Sequence, residues 1–128
     1  MARLLVIEDN APLRQMLKAA FERFGHAVDG AADGHKGLDL HRDASYDLVL
    51  MDLELPDMTG PDLIQNIRRH TPTAKIIVMS GNWPAVQAAD DQVAALLDAD
   101  QFILKPFDLD ELLDLVRRVL DRPPPFIR

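Results

Sequence analysis

Four short runs of consecutive apolar residues constrain this chain more than any other feature: LLVI at 4–7, LVLM at 48–51, IIVM at 76–79 and FIL at 102–104. None alternates with polar residues, and most positions are β-branched or bulky. A strand with one wet face alternates, whereas a strand covered on both faces does not. The runs therefore predict strands of a parallel sheet with helices packed above and below. No apolar stretch approaches the roughly 18 residues that span a bilayer. At 128 residues, 48% hydrophobic and 27% charged, the chain has the size and composition of one globular domain with one core.

Between the runs lie segments of helical period. Leu13, Met16, Leu17, Ala20, Phe21 and Phe24 fall on one predicted apolar stripe, with Asn10 as N-cap, Pro12 in the first turn and Gly25 as the stop. Residues 26–31 read as a weaker edge strand. Asp33-Gly34 reads as a turn before a short helix over 36–42 carrying Leu38 and Leu40. A third helix has Pro61 in its first turn and turns Leu63, Ile64 and Ile67 inward. A fourth opens at Trp83-Pro84 and bears Val86, Ala89, Val93, Leu96 and Leu97. The fifth buries Leu109, Leu112, Leu113, Val116 and Leu120 and ends before Pro123-Pro124-Pro125, which cannot continue a helix. Five strands alternating with five helices predict a doubly wound α/β domain over residues 1–122. Residues 123–128 are a tail or the start of a linker.

Composition removes several function classes. A net charge of −7 argues against a nucleic-acid-binding surface, which clusters Lys and Arg. Without cysteine there is no disulfide framework and no thiolate metal site. The opening MARLLVIEDN meets acids too early for a signal peptide, so a cytoplasmic location is expected.

In open parallel sheets the functional crevice lies beyond the carboxyl ends of the strands. The first apolar run ends in Glu8-Asp9, the second in Asp52, the third in Ser80 and the fourth in Lys105-Pro106. Three carboxylates, a hydroxyl and an ammonium are thus expected on one edge. Carboxylates a few Å apart repel by about 1 kcal/mol in water and by several times more when partly buried. They coexist only if some protonate or a cation intervenes. With oxygen donors alone, the fitting ion is hard, Mg²⁺ or Mn²⁺, keeping several waters. An ion, a carboxylate and a lysine together suit phosphoryl transfer, with a carboxylate oxygen attacking phosphorus. Asp52 stands alone on a central strand and is the candidate nucleophile, while Glu8 and Asp9 are better arranged as ligands. Ser80 can hydrogen-bond a phosphoryl oxygen.

The segments VIEDN at 6–10, LVLMDLELPDMTG at 48–60, IIVMSGN at 76–82 and FILKPF at 102–107, in this order, resemble a response-regulator receiver domain of two-component signalling, of the CheY-like superfamily. The resemblance covers nearly the whole chain. It implies a flavodoxin-like five-stranded parallel sheet of strand order 2-1-3-4-5. It implies Asp52 as phosphoacceptor, Glu8, Asp9 and Asp52 as Mg²⁺ ligands, and the backbone carbonyl of Glu54 as a further ligand. Ser80 matches the switch hydroxyl, Phe102 the switch aromatic and Lys105 the phosphate-contacting lysine. Pro106 matches the proline usually preceded by a cis bond. The implied partners are a sensor histidine kinase or a histidine phosphotransfer protein, and a protein target on the face formed by the fourth helix, fifth strand and fifth helix. Nucleic acid and membrane are not expected as direct partners, and the chain is expected to work as a monomer or a phosphorylation-dependent dimer. The domain is expected to be a self-resetting switch, not a conventional enzyme, either stand-alone or part of a longer regulator.

Other positions admit two readings. The Glu54 carboxylate either orients the hydrolytic water or points outward. Trp83 either packs at a helix start or contacts a partner. Asp98 replaces the glycine that such domains commonly carry before the fifth strand. His26, His35, His41 and His70 read as solvated surface, Met16, Met51, Met58 and Met79 as core or loop packing, and Asp90-Asp91 and Arg68-Arg69 as exposed helix charges. Two other function classes compete. One is an Asp-nucleophile phosphatase, faintly echoed by Asp52-x-Glu54. The other is a docking module that has lost phosphotransfer.

Overall fold

The computed structural model describes residues 1–81 and 99–122. In chain order the elements are β1 (Arg3–Ile7), α1 (Ala11–Arg23), β2 (Ala27–Ala31), α2 (Gly34–Asp43), β3 (Leu48–Asp52), α3 (Gly60–His70), β4 (Ile76–Ser80), β5 (Gln101–Leu104) and α4 (Leu109–Leu120). The strands pair in parallel in the order β2-β1-β3-β4-β5. The five-stranded parallel sheet of the sequence reading is thus present, with the weak strand β2 at an edge. The helix expected over 83–97, together with Asn82, Trp83, Asp90, Asp91, Asp98 and the triproline tail, lies outside the described residues.

Continuous apolar runs build a core on each face of the sheet. Leu4, Val6, Leu48, Leu50, Ile77 and Met79 turn to one face and meet Leu17 and Phe21 of α1 and Leu112, Val116 and Val119 of α4. Leu5, Ile7, Val49, Met51, Ile76 and Val78 turn to the other and meet Leu63, Ile64 and Ile67 of α3. All of these side chains are buried. Truncating any one of them to Ala is expected to cost about 2–5 kcal/mol.

Helix ends follow the local chemistry. The Asn10 side chain accepts the Leu13 N–H at 3.0 Å, and Gly25 leaves α1 at φ 88°, a conformation costly for other residues. The stripe predicted for α1 is narrower than expected: Leu17 and Phe21 are buried, but Met16 is 43% and Phe24 66% exposed. Met16 therefore does not pack in the core. In α4 the buried line is Leu112, Leu115, Val116 and Val119, with Leu109, Leu113 and Leu120 at its margin.

Helix α2 differs most from expectation. It starts at Gly34, not Lys36, and its buried residues are Gly34, Gly37 and His41, with Leu38 and Leu40 only partly covered. A Cβ on Gly37 would come within 2.5 Å of Ile7 Cδ1, and one on Gly34 within 2.5 Å of Met58 Cγ. The two glycines let the helix lie close against β1 and the loop after β3. Its N-terminal donors are all taken: Asp33 accepts from Lys36 N at 2.8 Å, and Asp57 accepts from Gly34 N and His35 N, both at 2.8 Å. His41 is buried, and His26 is half-buried with its Nδ1 accepting the Ala2 N–H at 3.0 Å. These two histidines are not solvated surface. Arg68 is not a free helix charge either: its guanidinium donates to the carbonyls of Pro72 and Ala74 and lies 3.5 Å from Asp100.

Candidate functional site

Parallel register brings the predicted residues to one edge. Ile7 lies beside Met51, Asp52 beside Met79, and Ser80 beside Leu104. The residues that follow these pairs therefore share a rim. Backbone bonds extend the sheet one step further at three places: Glu8 N to Ala31 O at 2.9 Å, Leu53 N to Met79 O at 2.8 Å and Lys105 N to Ser80 O at 2.8 Å. Glu8 and Lys105 are thereby held as firmly as strand residues although both lie beyond strand ends.

The side chains converge as the sequence suggests. Lys105 Nζ donates to Glu8 Oε1 at 2.5 Å and to Asp52 Oδ2 at 3.0 Å. Glu8, Asp52 and Ser80 are buried, whereas Asp9 is exposed. One carboxylate oxygen from each of Glu8, Asp9 and Asp52 lies within 4.8 Å of the others, which makes this the one such acidic or imidazole cluster of three among the described residues. Asp52 Oδ1 accepts the Glu54 N–H at 3.0 Å, and Ser80 Oγ donates to Glu54 Oε1 at 3.3 Å. The Glu54 carboxylate therefore turns toward the site. The Lys105–Pro106 peptide is cis. Phe102 is partly buried against the α3 face of the sheet.

Two contributors were not foreseen. Arg14 Nη1 donates to the Glu8 carbonyl at 2.6 Å, and Asn10 N donates to Glu8 Oε2 at 3.1 Å. The first turn of α1 thus clasps Glu8 by backbone and side chain. Arg14 follows the cap by four residues, which places it one turn above the acidic pair, but its direction could not be read from spacing alone.

Electrostatics reflect crowding. Burial pushes the Glu8 carboxyl up to about 7, opposed by Lys105 and the Asn10 N–H and reinforced by Asp52. For Lys105, burial works against the ammonium, but Glu8 and Asp52 outweigh it and raise its pKa. One lysine faces three carboxylates, so the site retains excess negative charge suited to a cation. The three carboxylate oxygens lie within 4.8 Å of one another, near enough for one Mg²⁺ to reach with water filling its other positions. The oxygen-only donor set fits such an ion.

The comparisons with known proteins agree with this geometry. The response regulator receiver domain model matches residues 4–117. The response regulator ArlR of Staphylococcus saprophyticus is 36% identical over 125 residues, covering 97% of this chain and 54% of that protein. ArlR of Staphylococcus epidermidis is 37% identical, covering 97% and 55%. The chain therefore spans about half the length of these relatives. Among solved structures, the non-phosphorylated HemR receiver domain of Leptospira biflexa superposes with a TM-score of 0.85 at 30% identity, covering 99% of this chain and 100% of that one. TrrA of Thermotoga maritima, solved in complex with Mg²⁺-BeF, gives a TM-score of 0.81 at 29% identity, covering 93% and 99%. With its 2-1-3-4-5 sheet and its acids gathered at the carboxyl edge, this chain belongs to the response regulator receiver domain family.

Proposed function

We propose that Asp52 is the phosphoacceptor of this receiver domain and takes its phosphoryl group from a phosphohistidine on a sensor kinase or a histidine phosphotransfer protein. An Asp52 carboxylate oxygen attacks phosphorus, the P–N bond breaks, and the imidazole leaves with its electron pair and takes up a proton. Glu8, Asp9 and Asp52, with the Glu54 carbonyl, would hold Mg²⁺ or Mn²⁺. The ion supplies charge neutralisation for the phosphoryl oxygens. Lys105, already 3.0 Å from Asp52, adds a second positive charge there. The single observation that carries this reading is the convergence of three carboxylates and one lysine around a buried Asp52.

Once phosphorylated, Asp52 competes with Glu54 for the Ser80 hydroxyl. Ser80 moving toward the phosphoryl group, with Phe102 following, would bias the surface carried by β5 and α4 toward a protein target. Hydrolysis of the acyl phosphate resets the domain, which works as a cytoplasmic switch and not as a turnover enzyme. Residues 1–122 are assigned to the receiver unit, with 123–128 read from the sequence as a tail or the start of a linker.

Incubation with a small-molecule phosphodonor and Mg²⁺ tests the assignment. The expected result is one acid-stable, base-labile adduct per chain in intact-mass spectra, absent in Asp52→Asn. Catalytic turnover of the donor without an adduct would indicate a phosphatase. No adduct and no turnover would leave a docking module.

A further inference from the structure

Away from the acids, at the opposite edge of the sheet, α2 and α3 end side by side. His41 lies in the last turn of α2, and His70 is the last residue of α3. Their ring centroids are 5.5 Å apart with planes at 71°. Tyr46 stacks on His41 at 6.3 Å and 15°. Both imidazoles, with Asp43, Ser45, Tyr46 and Thr71, line a cavity of about 260 Å³. His41 is 3% exposed, and its Nδ1 is buried without a hydrogen-bond partner.

An unpartnered buried ring nitrogen is unfavourable, and an apolar residue at the same position would avoid it. The cavity, lined by both rings, has room for a ligand. The surroundings select its charge. Two helix C-termini meet here, each bearing about half a negative charge, and Asp43 adds a carboxylate. Arg42 also lines the cavity, but its guanidinium is engaged by Asp39. The pocket therefore favours a cation. Imidazole donors select a borderline ion such as Zn²⁺, Co²⁺ or Ni²⁺ over Mg²⁺. Two imidazoles on one tetrahedral ion, with metal–nitrogen bonds of about 2.0–2.1 Å, place their ring centroids about 5–6 Å apart. The observed centroid separation of 5.5 Å falls within that range.

We propose that His41 and His70 form a two-histidine site for a divalent transition ion, with water filling the remaining positions. The site is independent of phosphoryl chemistry and differs in donor type from the acidic cluster. Its ion ties the C-termini of α2 and α3 together, while Asp57 ties the N-terminus of α2 to the loop before α3. Helix α2 is then fastened to the following β–α unit at both ends.

The test titrates Zn²⁺ into the whole chain with excess Mg²⁺ occupying the acids, following the four histidine ring signals by NMR and the thermal midpoint. The expected result is saturation at one equivalent, joint shifts of the His41 and His70 rings, and a midpoint raised by several degrees. His70→Ala, at an exposed position, should weaken Zn²⁺ binding at least about tenfold and abolish the midpoint rise, because one of two protein donors is lost. Three results would overturn the proposal: ring shifts confined to His26 or His35, unchanged affinity in His70→Ala, or no shift at His41 at a Zn²⁺ excess that saturates exposed histidines. The wild-type ring shifts decide the matter even if a variant misfolds.

Discussion

Glu8 is the residue at which fold and chemistry pull hardest against each other. It is buried beside a second carboxylate, and burial, with Asp52 reinforcing it, raises its pKa to about 7 from the ordinary 4.5. The sign follows from linkage: a raised carboxyl favours the folded state below its ordinary pKa, and that contribution is lost as pH rises through about 7. A metal needs the carboxylate, so ion binding must displace the proton that the fold prefers. Mg²⁺ affinity should therefore rise by up to about tenfold per pH unit below pH 7 and level off above it. Mg²⁺ titrations from pH 5.5 to 8.5 check this, and a flat profile would remove Glu8 from the binding set. Glu54 makes a second residue-scale case. Its carboxylate accepts at 3.3 Å from Ser80, the hydroxyl proposed above to meet the phosphoryl group. Glu54→Ala should remove this hydrogen bond and one negative charge, lengthening the lifetime of the phosphorylated form severalfold. Decay of the adduct measured in both proteins decides, and equal rates would exclude a role for this carboxylate.

At the scale of elements, the strands were legible because burial on both faces leaves an unbroken apolar run. Helix α3 was legible because Leu63, Ile64 and Ile67 carry its stripe. Helix α2 was not. Pattern reading counts apolar side chains, so it favoured Leu38 and Leu40, but this helix packs through Gly34 and Gly37, which contribute nothing to such a count. Its start was misplaced for a related reason: Asp57, which takes two of its N-terminal donors, lies 22 and 23 residues away in sequence. For Asp57, burial works to raise the pKa, but the N–H groups of His35 and Gly34 and the His35 ring outweigh it and hold the carboxyl at about 2. A depressed carboxyl stabilises the fold above its ordinary pKa, and that contribution fades as pH falls through about 2. Asp57→Ala should cost about 1–2 kcal/mol at pH 7, the usual price of a lost helix-terminal acceptor, and much less in strong acid. Urea unfolding at both pH values provides the measurement. Equal losses would mean that the two backbone bonds are not what the side chain contributes.

At the scale of the molecule, the candidate site was legible for a topological reason. A parallel sheet delivers every strand's carboxyl end to one edge, so Glu8, Asp52, Ser80 and Lys105, far apart in sequence, had to share it. The histidine pair at the other edge was invisible because no motif marks where α2 and α3 end together. The same topology makes the domain hold repulsion in reserve, since three carboxylates face one ammonium on a rim fixed by backbone hydrogen bonds. Asp52→Asn tests how much. The amide keeps an oxygen for the Glu54 N–H, and Lys105 keeps Glu8, so geometry survives while one charge goes. Removing a like charge a few Å from its neighbours at a partly buried rim is worth on the order of 1–3 kcal/mol. In EDTA at pH 8, where Glu8 is ionised, the variant should melt several degrees above the native protein. Adding Mg²⁺ should then raise the native midpoint far more than the variant's, because an ion bound only by the folded state stabilises it by about 2.7 kcal/mol at a hundred times its Kd. A variant that melts lower than the native protein in EDTA would mean that the Lys105 ion pair outweighs the repulsion, and that the acids are not strained without a cation.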